Sequence, residues 1–362
     1  MTARRREARR GAAIDPPRGL DAARVRAAAR LGYGRVARQA SGLYLLGLDR
    51  EQYLDAAGGP ERPLGHAHPA LTAAAREAAS AGAAASPLLV DPGMAAVAAR
   101  LARIAPAGLT PLGVFGSGLA ALETGLAAAR LLTGREALVV EPLPSATLAP
   151  RDPGDTWRLV RRARDAGVLL LADERPLGPG RLGTLVAAEA VGLAADLVVV
   201  GGLAGEFGRL AVLLAAPAVA ERIGDAGVVA ETLAAGALAD AEAWPSSIAC
   251  AAAAAALDVL ADAALLADVT RVGSGFGEAL HRIDWEESDA VVEVRGAGLA
   301  WAVECANPAA AEALVRALAL DRILVAAPPA GGRVVRLLPP LVAAERELDF
   351  VASSIAHAVE EL

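Results

Sequence analysis

Two short apolar runs, each breaking directly into polar or glycine-rich sequence, constrain this chain more than any other feature. Residues 168–172 are followed by Asp173-Glu174, and residues 197–200 are followed by Gly201-Gly202. Runs without polar alternation are typical of parallel strands that are covered on both faces. Open α/β sheets bind ligands beyond the carboxyl ends of such strands. The sequence therefore predicts a covered, mostly parallel sheet with a candidate site where these two strands end.

Chain length, net charge and the lengths of the apolar runs argue against several classes of protein. A chain of 362 residues can form one large domain and a smaller one, and its net charge of −7 argues against a general nucleic-acid binder. The arginine-rich residues 4–10 have no apolar run after them, so we expect a solvated tail and no secretory signal. The longest apolar run, residues 248–257, is too short to span a bilayer. We expect a cytoplasmic protein, with Cys250 and Cys305 as buried free thiols.

Local sequence patterns predict a few elements. Residues 1–20 are expected to be a disordered tail. The alternating stretch 42–55 predicts a hairpin, and the alanine-rich stretch 246–267 predicts one long helix.

Several glycine and proline motifs occur in an order that resembles a known family. They are Asp173-Glu174 with Gly178, Gly180, Arg181 and Gly183; Gly65-His66-Ala67-His68-Pro69; Arg295-Gly-Ala-Gly-Leu299; and Arg336 before Pro339-Pro340-Leu341. Together they resemble the class III (ω-type) aminotransferases, which are fold-type I enzymes that use pyridoxal phosphate (PLP). The resemblance implies a large α/β domain over residues 71–270, with a mostly parallel sheet of the seven-stranded type flanked by helices. It also implies that residues 21–70 are an N-terminal segment belonging to a small domain and that residues 271–362 form a small α+β C-terminal domain.

The resemblance also assigns the cofactor residues, and the central one is missing. In the family, an aspartate matched by Asp173 pairs with the pyridine nitrogen, and a lysine holds PLP as a Schiff base. That lysine position corresponds to Gly202, and the chain contains no lysine at all. Arginine keeps its proton and forms no imine, so it is no substitute. A buried carboxylate without its pyridine is costly, so we expect Asp173 to have an arginine partner, a raised pKa or contact with solvent.

The phosphate end is also altered. Ser117 and Gly118 match the family's phosphate-binding turn at a helix start, but the next hydroxyl position holds Leu119. The threonine that would contact the partner's phosphate corresponds to Glu242, and Trp244 is expected to fill space near it. Ser117, Gly118 and Asp173 are therefore predicted to be vestigial cofactor contacts.

These losses lead to a functional hypothesis with alternatives. We expect no cofactor and a pseudoenzyme or regulatory subunit, forming a homodimer or a heterodimer with an active aminotransferase paralogue. The first alternative is a PLP-independent enzyme repurposed for acid–base chemistry in a biosynthetic pathway. A further alternative is non-covalent binding of PLP, pyridoxamine phosphate (PMP) or another phosphate ligand. The candidate acid–base residues are Asp173, Glu174, Glu206, Arg209 and Glu242.

Two more motifs have expected roles. Arg336 is a candidate for binding a substrate carboxylate, and a structural ion pair is the alternative. His66 and His68 precede Pro69, so we expect them to mark a helix start, and no metal site is expected.

Overall fold

The computed structural model describes residues 20–33, 37–82, 91–106, 108–225, 244–285, 289–329 and 331–362, without the side chains of 20–24 and 225. The helices are α1 (Leu20–Arg30), α2 (Pro69–Ser80), α3 (Pro92–Ile104), α4 (Gly118–Thr133), α5 (Pro153–Asp165), α6 (Ala187–Ala190), α7 (Pro217–Asp225), α8 (Ser247–Leu260), α9 (Ala263–His281), α10 (Pro308–Leu320) and α11 (Glu345–Glu360). The strands are β1 (Ala37–Ser41), β2 (Tyr44–Gly47), β3 (Gln52–Asp55), β4 (Thr110–Phe115), β5 (Leu138–Val140), β6 (Leu170–Asp173), β7 (Leu197–Gly201), β8 (Ala211–Ala215), β9 (Val291–Ala297), β10 (Ala300–Cys305), β11 (Ile323–Leu324) and β12 (Val334–Leu337).

The central sheet has the strand order β4-β8-β7-β6-β5 in the described residues. β5, β6 and β7 pair in parallel, whereas β8 is antiparallel to both β7 and β4. β4 consequently runs in the same direction as β5, β6 and β7, and β8 alone is reversed. Every residue of β6, β7 and β8 is buried, as the two apolar runs predicted for strands covered on both faces.

The strand directions determine which loops meet. β4, β5, β6 and β7 all end at one edge of the sheet, so the loops after them lie at that edge. Phe115 at the end of β4 and Gly201 at the end of β7 both pair with Ala211. The turn before α4, the residues after Asp173 and the glycines after β7 therefore converge on one place, as expected for a ligand-binding edge.

Two smaller sheets flank this unit. β1, β2, β3 and β11 form one, in which the predicted hairpin over 42–55 is the antiparallel pair β2–β3. β12, β10 and β9 form the other. β3 pairs in parallel with β11, so the N-terminal segment is joined to the C-terminal third of the chain.

The long helix predicted over 246–267 is wrong, because the chain bends there by 72° between α8 and α9. The first helix ends at Leu260 with Ala261 as its C-cap, and Asp262 caps the second by accepting a hydrogen bond from the Ala264 N–H at 2.9 Å. Aspartate is among the strongest N-caps, and here the cap outweighs the helical preference of the alanines around it. Cys250 and Cys305 are buried free thiols as predicted, and burial raises their pKa to about 12 and 11.

The described helices were also compared with the length and hydropathy of a bilayer span. Within the described residues, no single helix is both long and apolar enough to cross a membrane. α8 and α9 pass by length and composition only when they are taken together across their bend.

A buried arginine joins three parts of the chain. The Arg181 guanidinium, 1% exposed, donates to the carbonyl oxygens of Leu177 (2.9 Å), Pro339 (2.5 Å), Leu299 (3.3 Å) and Gly59 (2.9 Å). Burial lowers its pKa to about 10, against the opposing effect of the Asp55 charge, so it stays cationic at neutral pH. The family motif that contains Arg181 therefore serves to fasten the central loop to the N-terminal and C-terminal segments.

Glu174 is a buried helix cap. Its side chain has no exposed surface, and its two oxygens accept from the N–H groups of Ala187 (2.6 Å) and Ala188 (2.7 Å) at the start of α6. Burial raises the Glu174 pKa to about 7, more than those two hydrogen bonds lower it, and the charges of Asp173 and Glu189 raise it further.

We expect Arg181→Met to lower the free energy of unfolding by about 3–5 kcal/mol, because it leaves several buried carbonyl oxygens without their donor. Chemical denaturation monitored by circular dichroism measures this change. Arg76→Met is the matched control, since Arg76 is exposed on α2 and its loss should cost less than about 0.5 kcal/mol. Equal stabilities of the two variants would contradict the role given to Arg181.

Glu174 should also make stability depend on pH. Because its folded pKa of about 7 exceeds the reference value of 4.5, the folded state holds the proton more tightly. The associated stability is fully present below pH 4.5 and is lost as the pH rises towards 7, at up to about 1.4 kcal/mol per pH unit. Urea unfolding across this window should show a steeper decline for the wild type than for Glu174→Gln. Glu77→Gln, an exposed change on α2 that does not contribute to the Glu174 pKa, should keep the wild-type slope; superimposable slopes for all three proteins would refute the assignment.

Candidate functional site

The carboxylate at the end of β6 is held by an arginine two residues later. Arg175 donates from Nε to Asp173 Oδ1 at 2.8 Å and from Nη2 to Asp173 Oδ2 at 2.7 Å, and its backbone N–H also donates to Oδ1 at 3.2 Å. The Asp173 side chain is 9% exposed and that of Arg175 is 27% exposed. The hydrogen bonds to Asp173 raise the pKa of Arg175, and the two guanidinium contacts form the two-point geometry typical of arginine and a carboxylate. Of the three outcomes expected for Asp173, the structure shows the arginine partner.

The arm of Arg175 lies across the ends of two other elements. A Cβ at Gly118 would stand 2.6 Å from Arg175 Cδ, and a Cβ at Gly201 would stand 3.6 Å from Arg175 Cβ and Cγ. Arg175 therefore packs against the start of α4 and the end of β7 while its head holds Asp173. A side chain at residue 118 would therefore displace the Arg175 side chain from this position.

The backbone closes the position that resembles the family's lysine. Gly202 has φ +77°, in the left-handed region that favours glycine. A Cβ there would meet the Pro60 carbonyl oxygen, and the Glu61 Cα lies 3.5 Å from the same point. Because the Pro60–Glu61 backbone lies where a side chain would begin, the site has no room for a side chain at this residue.

The turn before α4 keeps its helix-capping role. Ser117 is the N-cap of α4, and its hydroxyl accepts from the Ala120 N–H at 3.1 Å. Trp244 packs against an apolar cluster that includes Phe115 and Ala120, which flank this turn in the sequence. The Ser117 hydroxyl is thus used within the protein, and Gly118 lies beneath Arg175.

Two arginines of the C-terminal sheet hold the loop after β5. Arg336 on β12 donates to the Ser145 carbonyl at 3.1 Å, and Arg295 on β9 donates to the Thr147 carbonyl at 2.9 Å. Arg295 also pairs with Glu293 (2.5 Å) and Glu304 (2.6 Å). Arg336 is placed near the strand-end edge by this backbone contact, and within the described part of the chain it forms no ion pair.

The structure does not gather the other acid–base candidates into one group. Glu174 is buried, and both of its carboxylate oxygens cap the start of α6. Glu206 is exposed and accepts a hydrogen bond from the Ala67 N–H at 2.6 Å. Arg209 is exposed, and Glu242 lies outside the described residues. His68 is the N-cap residue of α2, as the helix-start interpretation predicted, and its side chain makes no cap hydrogen bond.

Sequence reasoning missed Arg175 itself. Its position gave one usable signal, because it directly follows the Asp173-Glu174 strand end and lies two residues from the carboxylate it binds. The contact between Pro60 and Gly202 left no signal in the sequence, because the two residues are 142 positions apart and only the fold brings them together.

Comparison with known proteins places the chain in one family. The sequence model of the aminotransferase class-III family matches residues 136–359, more than half of the chain. Acetylornithine aminotransferase from Mesorhizobium japonicum is 32% identical over 214 residues, covering 59% of this chain and 50% of that protein. Ornithine aminotransferase from Bordetella pertussis is 30% identical over 224 residues, covering 61% and 50%. The chain spans about half the length of the curated relatives it matches.

Solved structures agree on the fold. The acetylornithine aminotransferase of Elizabethkingia anophelis superposes with a TM-score of 0.77 at 21% identity, covering 91% of this chain and 94% of that chain. The ornithine δ-aminotransferase of Plasmodium falciparum gives a TM-score of 0.76 at 19% identity, covering 91% and 93%. The predicted fold class, an α/β fold-type I PLP-dependent transferase fold, is confirmed.

These matches correct one expectation. The family and the relatives named above are PLP-dependent aminotransferases, so the expectation that no cofactor is involved is wrong. The described residues, however, do not fit PLP in the family's covalent manner. Arg175 holds both oxygens of Asp173, and Gly202 offers neither an amine nor space for a side chain.

Three findings indicate the same family. They are the sequence match over residues 136–359, the shared fold, and the order of the motifs around Asp173, Arg181 and Arg336. The chain belongs to the class III aminotransferase family.

Proposed function

We propose that this protein is a non-catalytic member of the class III aminotransferase family that acts as a dimer subunit. It forms no Schiff base through its own side chains and performs no transamination by itself. It pairs with a second copy or with an active aminotransferase chain. The proposal concerns the covalent bond and turnover, and non-covalent binding of PLP or PMP is compatible with it.

The observation that carries the proposal is the closed position at Gly202. A missing lysine alone could be supplied by a neighbouring residue, but the chain has no lysine to supply. The Pro60 carbonyl occupies the point where any Cβ at residue 202 would begin. Both the reactive amine and the space for its arm are therefore absent from this strand end.

The Asp173–Arg175 pair supports the same conclusion from the other side. In the family the aspartate stabilises the protonated pyridine nitrogen, which makes the ring an electron sink. Here a guanidinium already supplies that positive charge, at 2.7–2.8 Å from both carboxylate oxygens. Displacing it would leave a charged arginine to find another partner, which opposes productive placement of a ring.

The acid–base alternative has no gathered set of groups to support it among the described residues. A general acid or base must reach the proton it transfers. Glu174 has no exposed surface, and Asp173 is held by Arg175. Glu206 and Arg209 are exposed after β7 without a described contact between them.

The role as a subunit is inferred from the family's architecture, in which sites lie at the dimer interface. A chain that keeps the fold and loses its own chemistry can still complete the structure of a partner. Light scattering on the purified protein should give about twice the chain mass of 36.5 kDa when it is expressed alone. A monomer at micromolar concentration would contradict self-pairing and leave only the pairing with an active chain.

Transamination is the direct test. Purified protein is incubated with PLP, with acetylornithine or ornithine as the amino donor and with a 2-oxo acid as acceptor. We expect no amino-group exchange above a heat-denatured control. After borohydride reduction, peptide mapping should show no side chain that carries the cofactor. Exchange activity that follows this chain through successive purification steps would refute the proposal.

The glycines after β7 give a matched structural test. Gly202→Ala should lower the free energy of unfolding by about 2 kcal/mol or more, because a side chain costs about 1–2 kcal/mol at positive φ and also meets the Pro60 carbonyl. Gly201→Ala, where the added carbon meets Arg175 only at 3.6 Å, should cost less than about 1 kcal/mol. Denaturation of both variants measures the difference. A stable Gly202→Lys protein that binds PLP covalently would show that the site is not closed.

A further inference from the structure

A cavity lies beside the sheet formed by β1, β2, β3 and β11. Its volume is about 360 Å³, within the range of small-molecule sites. None of its lining residues is among Asp173, Arg175, Gly201 and Gly202. The walls come from the segment after α1, from β2, β3 and the loop that follows, and from the ends of α10 and β11; they are Gly32, Tyr33, Ala37, Leu45, Gly47, Tyr53, Asp55, Ala57, Arg62, His66, Ala319, Leu324 and Val325.

Most of the lining is apolar or already hydrogen-bonded. Leu45, Ala57, Leu324 and Val325 present aliphatic surface. The Tyr33 hydroxyl donates to the Val325 carbonyl and accepts from the Val325 N–H, both at 3.0 Å. Burial raises the pKa of Tyr33 to about 12, so it stays neutral. These groups favour the apolar part of a ligand.

The acidic group of the cavity is satisfied within the protein. Asp55, 5% exposed, accepts from the Ala57 N–H at Oδ1 (2.9 Å) and lies 2.7 Å from His66 Nε2 at Oδ2. An ionised carboxylate only accepts, so Nε2 carries the proton in that contact. The Asp55 charge also acts on buried Arg181, whose pKa it raises. Asp55 is therefore directed at donors of the protein and does not demand a cationic ligand.

Arg62 is the group that lacks a partner. It lines the cavity, and its Nε is buried without a hydrogen-bond acceptor among the described residues. No described side chain forms an ion pair with its guanidinium. The buried Nε has no accessible surface, so Nη1 and Nη2, which are not among the buried unpaired atoms, are the nitrogens that can contact a ligand. A planar guanidinium without an ion-pair partner matches a carboxylate in such a two-point contact.

We propose that this cavity binds a small monocarboxylate with an apolar tail, its carboxylate on Arg62 and its tail against Leu45, Ala57, Leu324 and Val325. Arg62 is a lining cation without a described ion-pair partner, so we expect a ligand with a single negative charge. The aliphatic walls set its apolar body, and the filled hydrogen bonds of Tyr33 and Asp55 leave little demand for further polar groups. This site is independent of the non-catalytic role proposed above.

Calorimetric titration of the full chain with hexanoate tests the proposal, with hexanol and hexylamine as probes that share its chain and lack its charge. Hexanoate should bind saturably, at least tenfold more tightly than either of them. Arg62→Met should weaken hexanoate binding at least tenfold and leave the weak binding of hexanol unchanged. Arg76→Met, which removes an exposed arginine elsewhere, should bind hexanoate as the wild type does.

Three results would overturn the site. They are the absence of saturable hexanoate binding at millimolar concentration, hexanol affinity equal to that of hexanoate, and hexanoate affinity unchanged in Arg62→Met. Thermal unfolding establishes that each variant is folded. If Arg62→Met does not fold, hexanoate binding to Arg62→Lys is the deciding measurement. Lysine keeps the positive charge but lacks the planar guanidinium. The Arg62→Lys variant should bind hexanoate with an affinity below the wild type and above that of hexanol for the wild-type protein.

Discussion

The two-point ion pair between Asp173 and Arg175 organises the ligand-binding edge of this protein. A carboxylate at the end of a fully buried strand needs a counter-charge, because an unpaired buried charge is costly. Arg175 supplies it at 2.7 and 2.8 Å, and its arm lies over Gly118 and beside Gly201. The contacts at the start of α4 and the ends of β6 and β7 are thus made by one arginine of the chain itself. The neighbouring Gly202 is closed by the Pro60 backbone, and the proposed absence of a Schiff base rests on these two features.

Arginine also has a structural role across this lysine-free chain. Guanidinium groups donate to backbone carbonyl oxygens and hold loops that hydrophobic packing alone would leave loose. Arg181 fastens three segments, and Arg295 and Arg336 hold the loop after β5. A guanidinium offers five donors and keeps its charge when buried, which suits it to satisfying several carbonyls at once. Arg62 differs from these, because its buried Nε has no acceptor among the described residues.

The sequence was informative where chemistry is local. Apolar runs predicted β6 and β7, and the cost of a buried carboxylate gave three possible outcomes for Asp173, of which an arginine partner is the one observed. Where distant segments meet, prediction stopped: the Pro60–Gly202 contact joins residues 142 apart, and the Glu174 cap reaches α6 thirteen residues on. The helix break at Asp262 was missed because the alanine-rich pattern predicted one continuous helix. In the structure, Asp262 is the N-cap of a second helix. The proposed domain boundaries and the pairing with a second chain stay predictions.

The most direct measurement is an experimental structure of the protein crystallised with PMP, which needs no Schiff base to bind. If Arg175 is the lasting partner of Asp173, its guanidinium should remain on both carboxylate oxygens, and the Pro60 carbonyl should remain against Gly202. Any bound pyridine nitrogen would then be directed at another group. A pyridine nitrogen within hydrogen-bond distance of Asp173, with Arg175 swung away, would contradict the central claim.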